Sequence, residues 1–149
     1  IADEKTPEQQ YLAPENMVFC MGADHPDREV GPITLAEALA EPLMLPAKGK
    51  PVRDLVERLA QQIGATVQIT HEIDGPNPRK QATMVGLGRS FLPWIAIKDE
   101  VANGQMRYRE VCAPPLARYV GLEWREGLDA EITEPMLKVL KSLLGTMLR

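Results

Sequence analysis

The sequence predicts an α/β domain, a parallel or mixed sheet with helices on both faces. Three observations predict it. Apolar runs of strand length alternate with runs whose apolar residues recur every three or four positions. Glycine or proline punctuates most of the changes between them. A 44% apolar fraction over 149 residues is enough to fill one core, or two small lobes.

Residues 1–14 are polar, hold Pro7 and Pro14, and read as an exposed connecting segment. Asn16–Met21 is a mostly apolar run of strand length. Residues 22–32 carry Asp24, His25, Pro26, Asp27, Gly31 and Pro32, which is loop chemistry. Thr34-Leu-Ala-Glu37 has the spacing of a capping box and predicts a short helix to about Ala40. Pro42-Leu-Met-Leu-Pro46 is a buried strand framed by prolines. Val52, Leu55, Val56, Leu59 and Ile63 share one helical face, and Gly64 ends that helix. Apolar and polar residues alternate from Val67 to Ile73, so a strand is expected over 66–73. Asn77 suits the N-cap and Pro78 the first position of a helix whose face includes Ala82 and Val85. Gly86 and Gly88 end it, Ser90-Phe91-Leu92 forms a buried strand, and Pro93 closes that strand. A helix from about Ile95 to Ala102 stops at Asn103-Gly104. Met106–Cys112 and Ala117–Trp124 read as strands separated by Pro114-Pro115. Tyr119, Gly121 and Glu123 take one face of the second, Arg118, Val120, Leu122 and Trp124 the other. After a loop with Gly127 and Asp129, Thr133 is placed to cap a final helix carrying Met136, Leu137, Leu140, Leu143, Leu144 and Met147.

Composition narrows the function. The formal charge of −4 and the absence of a basic stripe argue against nucleic-acid binding by this segment. Aromatic residues make up 5%, too few for a base-stacking surface. No run reaches the length of a membrane span, and the first residues lack the pattern of a signal peptide. Cys20 and Cys112 sit in apolar runs and read as small buried thiols of a reducing compartment. His25 and His71 have no partners at metal spacing, so neither a metal site nor a cofactor is expected.

Catalytic frames are missing. Ser90 lies in Gly-Arg-Ser-Phe-Leu, not in a nucleophile elbow. Gly86-Leu-Gly88 follows a helix, and Phe91 occupies the place of a third glycine, so no dinucleotide fingerprint exists. His71-Glu72 is on an expected strand, which rules out helical zinc spacing. Glu72 and Asp74 could share a strand face, but an exposed strand end explains them equally well. An enzyme is therefore not expected.

A binding site is better supported. Open α/β sheets place ligands beyond the carboxyl ends of strands, where helix N-termini favour anions. Three such corners are readable. The first is Lys48-Gly49-Lys50 with Arg53 one turn into the helix. The second runs from Asp74 to Asn77, followed by Arg79 and Lys80. The third is Phe91-Leu92-Pro93-Trp94, where Phe91 and Trp94 could form an apolar wall or simply pack in the core. The first has the charge for a carboxylate or a sulfate-like group; the alternative is ordinary solvated lysines.

The order helix, Gly86-x-Gly88, strand, Leu92-Pro93, helix, Glu100-Val-Ala-Asn-Gly104 resembles the effector-binding domain of LysR-type transcriptional regulators. Asp24-His25-Pro26 and Pro42-Leu-Met-Leu-Pro46 resemble further pieces of that domain, with Asp27 where the family usually has leucine. The 48–53 corner looks most like regulators of the nitrogen-assimilation type.

The resemblance implies a type-2 periplasmic-binding-protein fold with an inducer in an interlobe cleft, here one complete lobe plus part of a second. It implies a connecting segment over 1–11, a second lobe over 12–125 with hinge strands at both ends, and a helix over 126–149 returning to the first lobe. It implies a cytoplasmic homodimer or homotetramer whose partners are a small effector and DNA. DNA would be bound only through a winged helix-turn-helix that this sequence lacks, as it lacks half of the first lobe. The final helix would then be short of its packing partner. A periplasmic solute-binding protein of a transporter shares the architecture and is the alternative.

Overall fold

The computed structural model describes residues 9–123 and 130–147, with side chains described over 15–118 and 135–143. Two compact units divide the chain: Asn16–Leu116, and Ile1–Glu15 with Ala117–Arg149.

The larger unit holds most of the sheet. Its elements are β1 (Gln9–Gly22, which begins in the smaller unit), β2 (Ile33–Thr34), α1 (Leu35–Ala38), β3 (Leu43–Leu45), α2 (Pro51–Gln62) and β4 (Ile69–Glu72). They continue with α3 (Pro76–Met84), β5 (Ser90–Pro93), α4 (Trp94–Ala102) and β6 (Met106–Cys112). The strand order is β2-β6-β1-β5-β3-β4. β1 is antiparallel to both neighbours, with Phe19 opposite Phe91 and Arg109. β2 runs parallel to β6, and β3 parallel to both β4 and β5. Every strand of this path except β1 therefore points the same way. The mixed α/β sheet is as expected.

Strand alternation sorts the core into two layers. Met17, Phe19, Met21, Leu43, Leu45 and Phe91 pack on one face with Leu35 of α1, its C-cap Leu39, and Val52, Leu55 and Val56 of α2. Val18, Cys20, Leu92 and Met106 pack on the other with Ile97 of α4. Phe19 and Phe91 meet at 5.6 Å between ring centroids. Arg89 lies over the Phe19 ring at 4.9 Å and pairs with Asp27 at 2.9 Å and Glu41 at 2.6 Å. Arg107 and Arg109 of β6 donate to the carbonyls of Ala23, His25, Gly31 and Pro32, which ties down the loop ahead of β2.

The smaller unit holds β7 (Ala117–Glu123), which pairs with β1, and α5 (Ala130–Met147). The Arg118 guanidinium donates to the Glu15 carboxylate. On α5, Leu137 is buried, while Met136, Val139 and Leu143 are exposed at helical spacing. No helix among the described residues is long and apolar enough to cross a membrane.

Several expectations need correction. Residues 9–14 are strand, not linker. Pro14 lies outside the registers that β1 makes with β5 and β6, which begin at Met17 and Val18. β4 spans only Ile69–Glu72, although Val67 and Ile69 pack on the core as the alternation implies. β2 has only two residues, too few for a periodic signal. α3 starts at Pro76 with Gly75 as N-cap, so Asn77 is exposed within the first turn and caps nothing. Val85 is 80% exposed; the buried face of α3 is Arg79 and Thr83. α5 begins at Ala130, so Thr133 lies inside it. Trp124, Gly127, Asp129, the faces of residues 119–123, and the side chains of Leu144 and Met147 fall outside the described residues.

The capping box holds: Thr34 Oγ1 accepts from the Glu37 amide at 3.1 Å. Gly86 ends α3 with φ +84°. Gly88 has a different role. A Cβ there would meet Met44 Cγ at 3.1 Å, so glycine lets the α3–β5 connection pass close to β3.

Candidate functional site

Because β3, β4 and β5 are parallel neighbours, their carboxyl ends share one edge of the sheet. Each leads into a helix: β3 into α2, β4 into α3, β5 into α4. Three helix N-termini therefore converge on that edge, where unpaired amides and the helix dipoles favour a negative group. The three corners read from the sequence are thus brought together.

At the first corner, Lys48, Gly49 and Lys50 are exposed. Neither lysine forms an ion pair among the described residues. Lys50 is the N-cap of α2 and offers no capping acceptor, and Pro51 follows at the first position. Arg53 behaves differently. It is 4% exposed, donates to the Pro46 carbonyl at 3.0 Å, and pairs with Glu57 at 2.9 Å and Glu72 at 3.5 Å. Its charge is already spoken for. An open groove of about 640 Å³ runs beside this corner, lined by Lys48, Arg53, Asp54, Glu57, Arg58, Gln61 and the stretch Ala65-Thr66-Val67.

At the second corner, Asp74 Oδ1 accepts from the Ala47 amide at 2.9 Å. That carboxylate therefore braces the first corner, and a parallel brace comes from Asp54 Oδ1, which accepts from the Gly49 amide at 3.2 Å. Asn77 is exposed on the first turn of α3. At the third corner, Phe91 and Leu92 are fully buried, one in each core layer. Pro93 is the N-cap of α4. Trp94 packs against Tyr108 of β6, the ring centroids 4.7 Å apart and the planes tilted by 47°.

The groups weighed for catalysis are employed elsewhere. Ser90 is buried, and its hydroxyl donates to the Met44 carbonyl at 2.6 Å. Glu72 pairs with Arg53. Cys20 is buried, donates to the Ser90 carbonyl at 3.2 Å, and has its thiol pushed up to about 12 by burial, far from a reactive thiolate. No cluster of metal-ligating side chains exists among the described residues.

By sequence Arg79 is only a cation near the second corner. It is 2% exposed and donates to Ser90 Oγ at 3.1 Å and to the carbonyls of Ile73, Gly75 and Phe91 at 3.2, 3.3 and 3.4 Å. The Thr83 hydroxyl donates to the Arg79 backbone carbonyl at 2.8 Å, and no local spacing marks the Arg79 side chain as buried. Glu100 of the signature pairs with Lys80 at 2.7 Å and joins α3 to α4.

Residues 3–143 match the family model described as the LysR substrate binding domain. The chain belongs to this family. Among curated relatives, the HTH-type transcriptional regulator CbbR of Xanthobacter flavus is 34% identical over 107 residues, 64% of this chain and 32% of that protein. CbbR of Rhodospirillum rubrum is 29% identical over 136 residues, 91% of this chain and 45% of that protein. This LysR substrate binding domain chain thus spans under half the length of the relatives it matches.

Solved structures agree on the fold. An OxyR mutant of Corynebacterium glutamicum superposes with TM-score 0.78 at 20% identity, over 97% of this chain and 46% of that one. The regulatory domain of MetR from N. meningitidis gives 0.71 at 18% identity, over 98% and 68%. The regulatory domain of CcmR from Synechocystis, in complex with 2-PG, gives 0.70 at 24% identity, over 94% and 70%. The architecture is the periplasmic-binding-protein-like one of LysR regulatory domains.

Proposed function

We propose that this chain is the effector-sensing part of a LysR-type transcriptional regulator and binds a small anionic metabolite at the carboxyl edge of β3, β4 and β5. One observation carries the reading. Lys48 and Lys50 stand exposed and free of ion pairs among the described residues, at the edge where three helices begin. The Lys48–Lys50 loop and Asn77 are the groups assigned to touch the effector. Arg53, Asp74, Phe91, Leu92 and Pro93 are assigned to hold the corners in place.

Sensing follows from differential affinity. An effector that binds one arrangement of the regulator better shifts the population toward it, by no more than that difference, ~1–3 kcal/mol for ordinary coupling. The same reading assigns residues 12–125 to the second lobe and the segment from 126 to the first. It makes the intact protein a cytoplasmic homodimer or homotetramer that binds DNA through a separate winged helix-turn-helix. Its named relatives are regulators, which favours this reading over a transporter's solute-binding protein.

The CcmR complex makes 2-PG the first probe. Calorimetry of 2-PG, small carboxylic acids and inorganic phosphate against the protein should show binding that weakens with salt. Lys48→Ala and Lys50→Ala should each weaken it by ~1–3 kcal/mol, the loss of one charged hydrogen bond. Unchanged affinity in both variants would remove the first corner from the site.

A further inference from the structure

The geometry points to Arg79 and Ser90 as a buried clasp that sets the spacing of the three corners, making Arg79 a positioning residue for the effector site. This rests on the reading just given for that site. The clasp reaches every strand that ends there. Arg79, rooted in α3, donates to the carbonyl of Ile73 just past β4 and to that of Phe91 in β5. Its Nε donates to Ser90 Oγ at 3.1 Å, and the same hydroxyl donates to the Met44 carbonyl of β3 at 2.6 Å. A fourth bond, to the Gly75 carbonyl, holds the N-cap residue of α3.

Sheet pairing is thinnest between β3 and β5, although the Met44 amide also donates to the Arg89 carbonyl at 2.9 Å. β3 and β5 share a single registered pair, Met44 with Ser90, and β4 lies at the end of the strand order with an exposed face. The planar guanidinium spans a carbonyl of β5 and one just past β4 and reaches β3 through one hydroxyl, which an ammonium cannot do in a fixed plane. With Arg79 2% and Ser90 0% exposed, neither side chain is placed to touch a ligand. Their effect on binding must pass through the backbone they hold.

Arg79→Lys keeps the charge and loses the fork; Ser90→Ala removes the acceptor of Arg79 Nε together with the link to β3, and carries the test if Arg79→Lys fails to fold. Amide hydrogen exchange in both should rise about tenfold or more over 46–50 and 73–77 and stay at wild-type levels over 33–39, which the clasp does not touch. Affinity for 2-PG should fall about tenfold in the folded variants. Exchange that is unchanged, or that rises equally over 33–39, would reduce the pair to ordinary core residues, as would wild-type affinity in Arg79→Lys. Wild-type protein that ignores 2-PG and phosphate would tell against the anion reading, while the exchange pattern would still decide on the clasp.

Discussion

Asp74 and Ala47 lie 27 positions apart, yet the Asp74 carboxylate accepts the Ala47 amide at 2.9 Å and joins the loop ahead of α2 to the loop ahead of α3. An acidic side chain thus takes up a loop amide at the edge proposed for the ligand. The anion-binding capacity of this edge is what remains after Asp74 and Asp54 have taken their share.

Asp74→Ala should therefore loosen the first corner. A lost hydrogen bond to an exposed carboxylate costs about 1 kcal/mol. Urea unfolding should show that loss, and the Ala47 amide should exchange faster. A variant as stable as wild type with a protected Ala47 amide would show that the bond has little weight in solution.

Arg53 and Lys48 should separate cleanly. Arg53 is buried and bonded to a carbonyl and two carboxylates, so Arg53→Ala should cost about 2 kcal/mol of stability through lost packing and hydrogen bonds. Glu57 and Glu72 are partly solvated, so no buried charge is stranded and the cost stays below that of breaking a dry pair. Lys48→Ala should change stability by less than about 0.5 kcal/mol. Equal losses in thermal unfolding would contradict this division of labour.

Thr34→Ala removes the acceptor that satisfies the Glu37 amide. The expected cost is ~1 kcal/mol, read from chemical denaturation, with Thr34→Ser close to wild type. A neutral Thr34→Ala would mean that α1 is held by Leu35 and Leu39 alone.

Acid should destabilise the fold in two stages. His25 is held below its ordinary value of 6.5 by burial first and by the Arg89 charge second. Its Nδ1 also accepts from the Asp27 amide at 3.1 Å, which suits the neutral ring. The unfolded chain then takes up the proton first, so stability falls as pH drops below 6.5 toward the folded value. Asp27 is held below 3.8 by its bond from the Glu29 amide and by Arg89, so its contribution is intact above 3.8 and is lost only below it. His25→Asn should flatten the first stage and leave the second, in unfolding followed from pH 7 to 3. A first stage that survives His25→Asn would assign it elsewhere.

Periodicity carried most of the architecture. The α2 face, the buried runs at 43–45 and 90–92, and the capping box at Thr34 depend on neighbours within a few residues, and each appears where local spacing puts it. So does the stop at Gly104, whose φ is +81°. Those features obey rules of helix and strand geometry that need no partner.

Partnering across the fold settled the rest. Nothing near Arg53 in the chain marks it as a buried brace; Pro46 and Glu72 reach it only after β3 and β4 lie side by side. Arg79 and Arg89 look like surface cations until Ser90, Asp27 and Glu41 converge on them. Burying a charge depends on donors and acceptors gathered from distant segments. Such gathering leaves no period to read along the chain.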